Sequence, residues 1–160
     1  AAGGPSVPTH LTEFMTGRGR PGQNGPADGH GRRSLYLATR RNFPDSFLCA
    51  FDLPVPTTTV GRRNESNVPA QALALLNSPL AHGEANRWGT QMAKAAGAPD
   101  ARAAEMISAA FGRTARPDET ALHFLREAAG PRANAWTTDP AAWSDLAHVL
   151  FNAKEFVFVD

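Results

Sequence analysis

One cysteine in 160 residues removes several chemistries at once. Cys49 alone cannot make an internal disulfide, a cysteine-based zinc site or the Cys-x-x-Cys-His attachment of a c-type haem. It stands in the apolar string Phe47-Leu48-Cys49-Ala50-Phe51, where a buried, inert thiol is expected rather than a nucleophile. Tyrosine is just as scarce, with one residue, and lysine contributes two cations against fourteen from arginine. The formal net charge is only +1. So small a charge, with one tyrosine to stack on bases, argues against nucleic acid as a partner. No apolar run approaches the ~20 residues of a membrane span. The chain has neither an initiator methionine nor a signal peptide and starts in Ala1-Ala2-Gly3-Gly4-Pro5, so it reads as a fragment of a longer protein.

What is present suits a globular domain able to bury a core without disulfide or metal staples. The fourteen glycines and thirteen prolines of the chain are concentrated in the first half, which should therefore be rich in loops. Charge is also divided. Through Arg63, eight arginines face four acids; the remainder holds eight basic and eleven acidic groups. Two surfaces of opposite sign can attract within one fold, or the basic half can meet a polyanion. Arginine suits either role, because its planar fork pairs with carboxylates and phosphates in a bidentate manner.

The pattern divides the chain at residue 31. Residues 1–31 form an irregular arm punctuated by Gly and Pro, with Leu11, Phe14 and Met15 able to anchor a helical turn. Residues 32–160 read as a mainly helical C-terminal module. Ser34 to Thr39 suits a short extended segment or a turn or two of helix. Asn42-Phe43-Pro44-Asp45 opens a helix with Phe47, Leu48 and Phe51 on one face, and Pro54 and Pro56 stop it. Asn67 is placed to cap the next helix, with Pro69 in its first turn. Leu73, Leu76 and Leu80 then form an apolar stripe, kinked or restarted at Ser78-Pro79, and Trp88, Met92 and Ala95 continue it. Asp100 is expected to cap a helix burying Met106, Ile107, Ala110 and Phe111. Pro117-Asp118-Glu119 starts one that buries Leu122 and Leu125, and Asp139-Pro140 starts one that buries Trp143, Leu146, Ala147 and Leu150. The apolar end, Phe156 to Val159, should dock as an extended tail. The fold class is mainly α: a helical domain with a long irregular Gly/Pro/Arg-rich N-terminal half and short extended segments.

Few motifs carry chemistry. Gly17-Arg18-Gly19-Arg20-Pro21-Gly22 matches a dinucleotide-loop spacing but lacks the strand before and the helix after that the mechanism needs. The five histidines show no metal-ligand spacing, and no metal is expected; His123 and His148 suit helix surfaces beside acids. No serine lies in a nucleophile elbow, and Ser66 and Ser78 read as helix-start groups. Asp52 lies close in sequence to Arg62 and Arg63, and a buried pair there would order the loop and depress the carboxylate pKa. Arg32-Arg33, Arg40-Arg41 and Arg62-Arg63 form three pairs. They can hold irregular backbone together or cradle a sulfate, phosphate or uronate beside the helix start at Val68. Asn64-Glu65-Ser66 also fits a glycosylation sequon. The candidate anion-binding or structural residues are thus Arg32, Arg33, Asp52, Arg62, Arg63 and Asn64, and no catalytic set emerges.

One family resemblance runs along the chain. It is carried by Gly3-Gly4-Pro5-Ser6-Val7, Arg32-Arg33-Ser34-Leu35-Tyr36, Phe51-Asp52-Leu53-Pro54, Gly61-Arg62-Arg63, Phe111-Gly112-Arg113 and the ending Leu150 to Asp160. Most specific is Val68-Pro69-Ala70-Gln71-Ala72-Leu73-Ala74-Leu75-Leu76-Asn77 with Ser78-Pro79. In these residues the chain resembles the PSD1-type domain of unknown function, found mainly in planctomycetes and related bacteria as the C-terminal module of large cytochrome-c-like surface proteins. The resemblance implies an extracytoplasmic location, periplasmic or on the cell surface. It also implies upstream partner domains in the same polypeptide, with haem c held there and no cofactor in this chain. No catalytic residues come with it. The leading expectation is an accessory or interaction module of a cytochrome-c-associated protein, with polysaccharide handling as its setting. The alternatives are a composite, hydrolase-like active site or an anionic-glycan binder using Asp52, Arg62 and Arg63, with His30 a further member of the composite site.

Overall fold

Prolines and capping side chains decide where the regular elements begin. A computed structural model describes residues 5–26, 29–54, 57–59, 61–62, 69–116, 120–130 and 136–157. Among them are seven α-helices and no strand: α1 Ser46–Ala50, α2 Pro69–Asn77, α3 Pro79–Lys94, α4 Pro99–Phe111, α5 Ala121–Ala129, α6 Pro140–Asn152 and α7 Lys154–Val157. The fold is mainly α. Its chain forms two compact units, Ala1–Ala74 with Ser78–Leu80 and Leu75–Asn77 with Ala81–Asp160.

In the first unit irregular backbone is held by paired polar groups. Val7, Thr9 and Leu11 are buried in alternation, as in a strand with one face covered. Val7 bridges Leu37 in parallel: its N–H donates to Tyr36 O at 2.9 Å, and Ala38 N–H donates to Val7 O at 2.8 Å. Pro5 and Pro8 withhold the donors a longer ladder would need. On the other side Gly25 N–H donates to Thr9 O, and a Cβ at Gly25 would overlap the Pro8 carbonyl. Asn24 stands in for a strand partner, accepting from Leu11 N–H through Oδ1 and donating through Nδ2 to Leu11 O at 3.0 Å. Extended pairing thus reaches into the arm, where Gly and Pro spacing had implied none. Leu11 anchors it, but Phe14 does not, being 93% exposed.

Ser34–Tyr36 is a 3-10 turn, and Leu37 beyond it is extended. Asp45 caps α1 by accepting from Leu48 N–H at 3.0 Å. Between α2 and α3, Ser78 Oγ accepts from Leu80 N–H, which restarts the helix at Pro79.

The second unit has a true hydrophobic core. Met106, Leu125 and Trp143 are its largest fully enclosed side chains, and α5 packs closely on α6. A stripe on α6, Ala142, Trp143, Leu146, Ala147 and Leu150, supplies much of it. Asp139 caps this helix by accepting from Ala141 N–H at 3.1 Å. At Gly89, α3 comes so close to α6 that a Cβ would overlap the Ser144 backbone. Arg102 is buried here on α4. Its Nη1 donates to Met92 O at 2.7 Å and its Nη2 to Thr137 O at 2.8 Å, with the guanidinium over the Trp143 ring at 4.6 Å.

Several sequence expectations give way. Leu76 is 49% exposed and Leu73 is exposed too; Gln71 and Leu75, one turn apart on another face of α2, are buried instead. Asp100 does not cap α4: Ala98 takes that position without a side-chain bond, and Pro99 fills the first helical site. The C-terminal tail is helical at Lys154–Val157, tied by Glu155 to Arg113 at 2.5 and 2.9 Å and by Phe156 to Phe151. His148 meets the His82 ring at 4.2 Å rather than an acid, whereas His123 does pair with Glu127. Ser66, Asn67 and Pro117 to Glu119 lie outside the described residues.

Leu125→Ala should cost about 2–5 kcal/mol, whereas Leu76→Ala should cost less than about 1 kcal/mol because its side chain is half in water. Urea unfolding of the two variants checks this, and equal losses would contradict the core described. Arg102→Met should cost about 2–4 kcal/mol by removing the charged hydrogen bonds to Met92 O and Thr137 O. Unfolding at the wild-type urea midpoint would remove Arg102 from the interactions that hold this unit.

Candidate functional site

The first unit carries two adjoining clefts. The larger, about 390 Å³, lies where the turn after Ala38 leads into α1. Its walls are mostly apolar, from Leu37, Phe43, Leu48, Leu53 and Pro54, with Arg40 and Asp45 as charged members. A second cleft of about 350 Å³ is lined by His10, Arg32, Phe47 and Leu80 among others, and shares Ser34, Leu37, Asp45 and Leu48 with the first. Volumes of this order suit small molecules held by apolar contact and a few polar groups.

The charged groups differ in how committed they are. Asp45 is tied to the start of α1 through Leu48 N–H. Arg32, half-buried, donates to Pro5 O and lies over the Tyr36 ring at 4.2 Å. Arg33 is exposed at the start of the 3-10 turn and makes no side-chain cap. Arg40 lines the larger cleft, and among the described residues its guanidinium has no hydrogen-bond or ion-pair partner.

Asp52 is half-buried and takes a left-handed backbone at φ 58°, a conformation that is uncommon without glycine. Arg62 is exposed. Both have interaction partners. Arg63 and Asn64 lie outside the described residues, so the contacts foreseen between Asp52 and the full Arg62-Arg63 pair do too. His30, also left-handed at φ 57°, is engaged and stands outside both clefts. Among the described residues no group of three or more His, Cys, Asp or Glu is placed to hold a metal ion. No described helix is long and apolar enough to cross a membrane.

A profile for PSD1, a protein of unknown function (DUF1553), matches residues 1–124. The chain belongs to the PSD1 family. The match includes every residue lining both clefts and ends within α5, short of the closing Leu150 to Asp160 motif. No curated protein matches the chain, and no solved structure does.

Sequence reasoning missed Arg102, the most deeply buried arginine described. Its signal was its spacing: Arg102, Met106 and Ala110 fall on one helical stripe, so a cation among core positions needed buried acceptors. Cys49 also departs from expectation, because it is exposed. In α1 the half-buried residues are Phe47, Leu48, Ala50 and, just beyond, Phe51; Cys49 falls on the opposite face. Partial desolvation, then the Asp45 carboxylate, push its thiol pKa up, which keeps the thiolate scarce at neutral pH. Iodoacetamide should therefore alkylate Cys49 at pH 8 more slowly than a cysteine in a short peptide, with the rate rising at higher pH. A rate above the peptide's would make Cys49 an activated nucleophile.

Proposed function

We propose that this chain is a non-catalytic accessory module of an extracytoplasmic, cytochrome-c-associated multidomain protein, binding partners or ligands in support of polysaccharide handling. The observation that carries the accessory reading is where the strong polar groups are aimed. Arg32, Arg102, Asn24, Asp45 and Asp139 all direct hydrogen bonds at the chain's own backbone. Groups bound in this way order a fold and are poorly placed for proton transfer. The described clefts offer apolar walls and hydrogen-bond donors, the composition of a binding surface.

The cytochrome-c and extracytoplasmic parts of the proposal draw on the family resemblance. This chain's own residues do not fit a covalent haem: its one cysteine precedes Ala50 and Phe51, with no Cys-x-x-Cys-His. Haem would belong to an upstream domain of the same polypeptide, which this module would serve as a partner. A second reading, an active site completed by another domain around Asp52, Arg62 and Arg63, draws on the strained backbone of Asp52. Residues in such conformations gather at functional sites.

An antibody raised against this chain should detect, in cells producing the native polypeptide, an envelope-fraction band that also stains for covalent haem. A haem-free band confined to the cytoplasmic fraction would sink the proposal.

A further inference from the structure

The described cations of the first unit differ in one respect that bears on binding. Arg32 has its acceptor at Pro5 O and a ring beneath it. Arg20 reaches Thr12 O. Arg40 has neither among the described residues, although it lines a cleft with Asp45. The two do not pair: Asp45 is engaged at Leu48 N–H, and no ion-pair contact joins it to Arg40. Beside this unmatched guanidinium are Leu37, Phe43, Leu48 and Leu53, with a volume of about 390 Å³.

A guanidinium left without a carboxylate beside an apolar wall defines a complementary ligand. It has a hydrocarbon body to cover the wall and one anionic oxygen pair to meet the fork. A neutral apolar molecule would leave the cation unanswered. A highly charged sugar polymer would leave the wall unanswered. We propose that this cleft is a binding site for an apolar monocarboxylate, its carboxylate held by Arg40 and its body by Phe43, Leu48 and Leu53. Neither Asp52 nor Arg62 lines this cleft, and Arg40 is the member of the three sequence-predicted arginine pairs that does. The site needs no haem domain, so its test stands or falls separately from the proposed function.

Decanoate and decanol, alike in length and differing in charge, are the probes. Titrated into the whole chain and followed by amide chemical shifts, decanoate should saturate and move resonances of residues 37–54. It should bind more tightly than decanol. Arg40→Gln, which removes no internal hydrogen bond, should keep the wild-type fold by circular dichroism. It should weaken decanoate about tenfold or more, since a charge-assisted pair is lost, and leave decanol unchanged. Arg40→Glu should act in the same direction, more strongly. Absence of saturable binding, shifts centred outside residues 37–54, equal affinity for the two probes, or a smaller loss in Arg40→Gln would each overturn the assignment.

Discussion

The second unit depends on one buried guanidinium. The last turn of α3 leaves carbonyls without helical donors and carries the negative end of the helix dipole. Arg102 answers both, donating to Met92 O and, more weakly, to Ala93 O at 3.4 Å. Its other terminal nitrogen reaches Thr137 O, which also accepts from the Trp143 indole at 3.2 Å. One planar cation therefore fixes the end of α3, the approach to α6 and the central core indole together. Lysine has no fork and could not bridge these acceptors while lying flat on Trp143. With α6 placed this way, its backbone at Ser144 meets α3 where only a missing side chain permits it, at Gly89.

The first unit solves the same problem without a comparable core. Prolines at 5 and 8 rule out a continuous ladder, so side chains complete the pairing. Asn24 satisfies both backbone groups of Leu11, Thr9 Oγ1 donates to Ala38 O at 2.5 Å, and Arg32 reaches back to Pro5. Side chain to backbone bonds of this kind are specific in geometry but modest in strength. They suit a unit whose regular pieces are single turns, in which clefts open between segments of backbone that never close into a sheet.

Legibility followed the same division. Asp139-Pro140 announced α6, and its apolar spacing named Trp143, Leu146, Ala147 and Leu150, because a capped amphipathic helix leaves a periodic record. Asp45 could be read in the same way. Asp100 could not, since Pro99 sets the first helical position without a side-chain cap. The leucines of α2 misled because its buried face runs through Gln71 and Leu75, so that a polar residue holds a core-facing position while Leu73 and Leu76 face outward. Arm pairing left no periodic trace beyond Val7, Thr9 and Leu11, too short a run to distinguish from loop. The arginines were legible as a class, as polar fasteners or anion holders. Which guanidinium does which depends on acceptors brought from far along the chain, such as Thr137 for Arg102.

That dependence explains the contrast among the arginines. A guanidinium turns inward where backbone carbonyls within its reach can accept a further hydrogen bond, as at a helix end or beside a proline-interrupted segment. Met92, Thr137 and Pro5 are such acceptors. Arg40 precedes a turn whose own carbonyl is already satisfied, Arg40 O accepting from Phe43 N–H at 3.1 Å. Asp45, in the same cleft, caps α1 through Oδ1, and no ion pair joins its carboxylate to Arg40. Among the described residues no acceptor pairs with this guanidinium, and burying it unpaired would be costly. What remains is for it to line the cleft, half-buried, with its charge available to a ligand. The conditions that leave Arg40 without an internal role are the conditions that make a binding role physically reasonable.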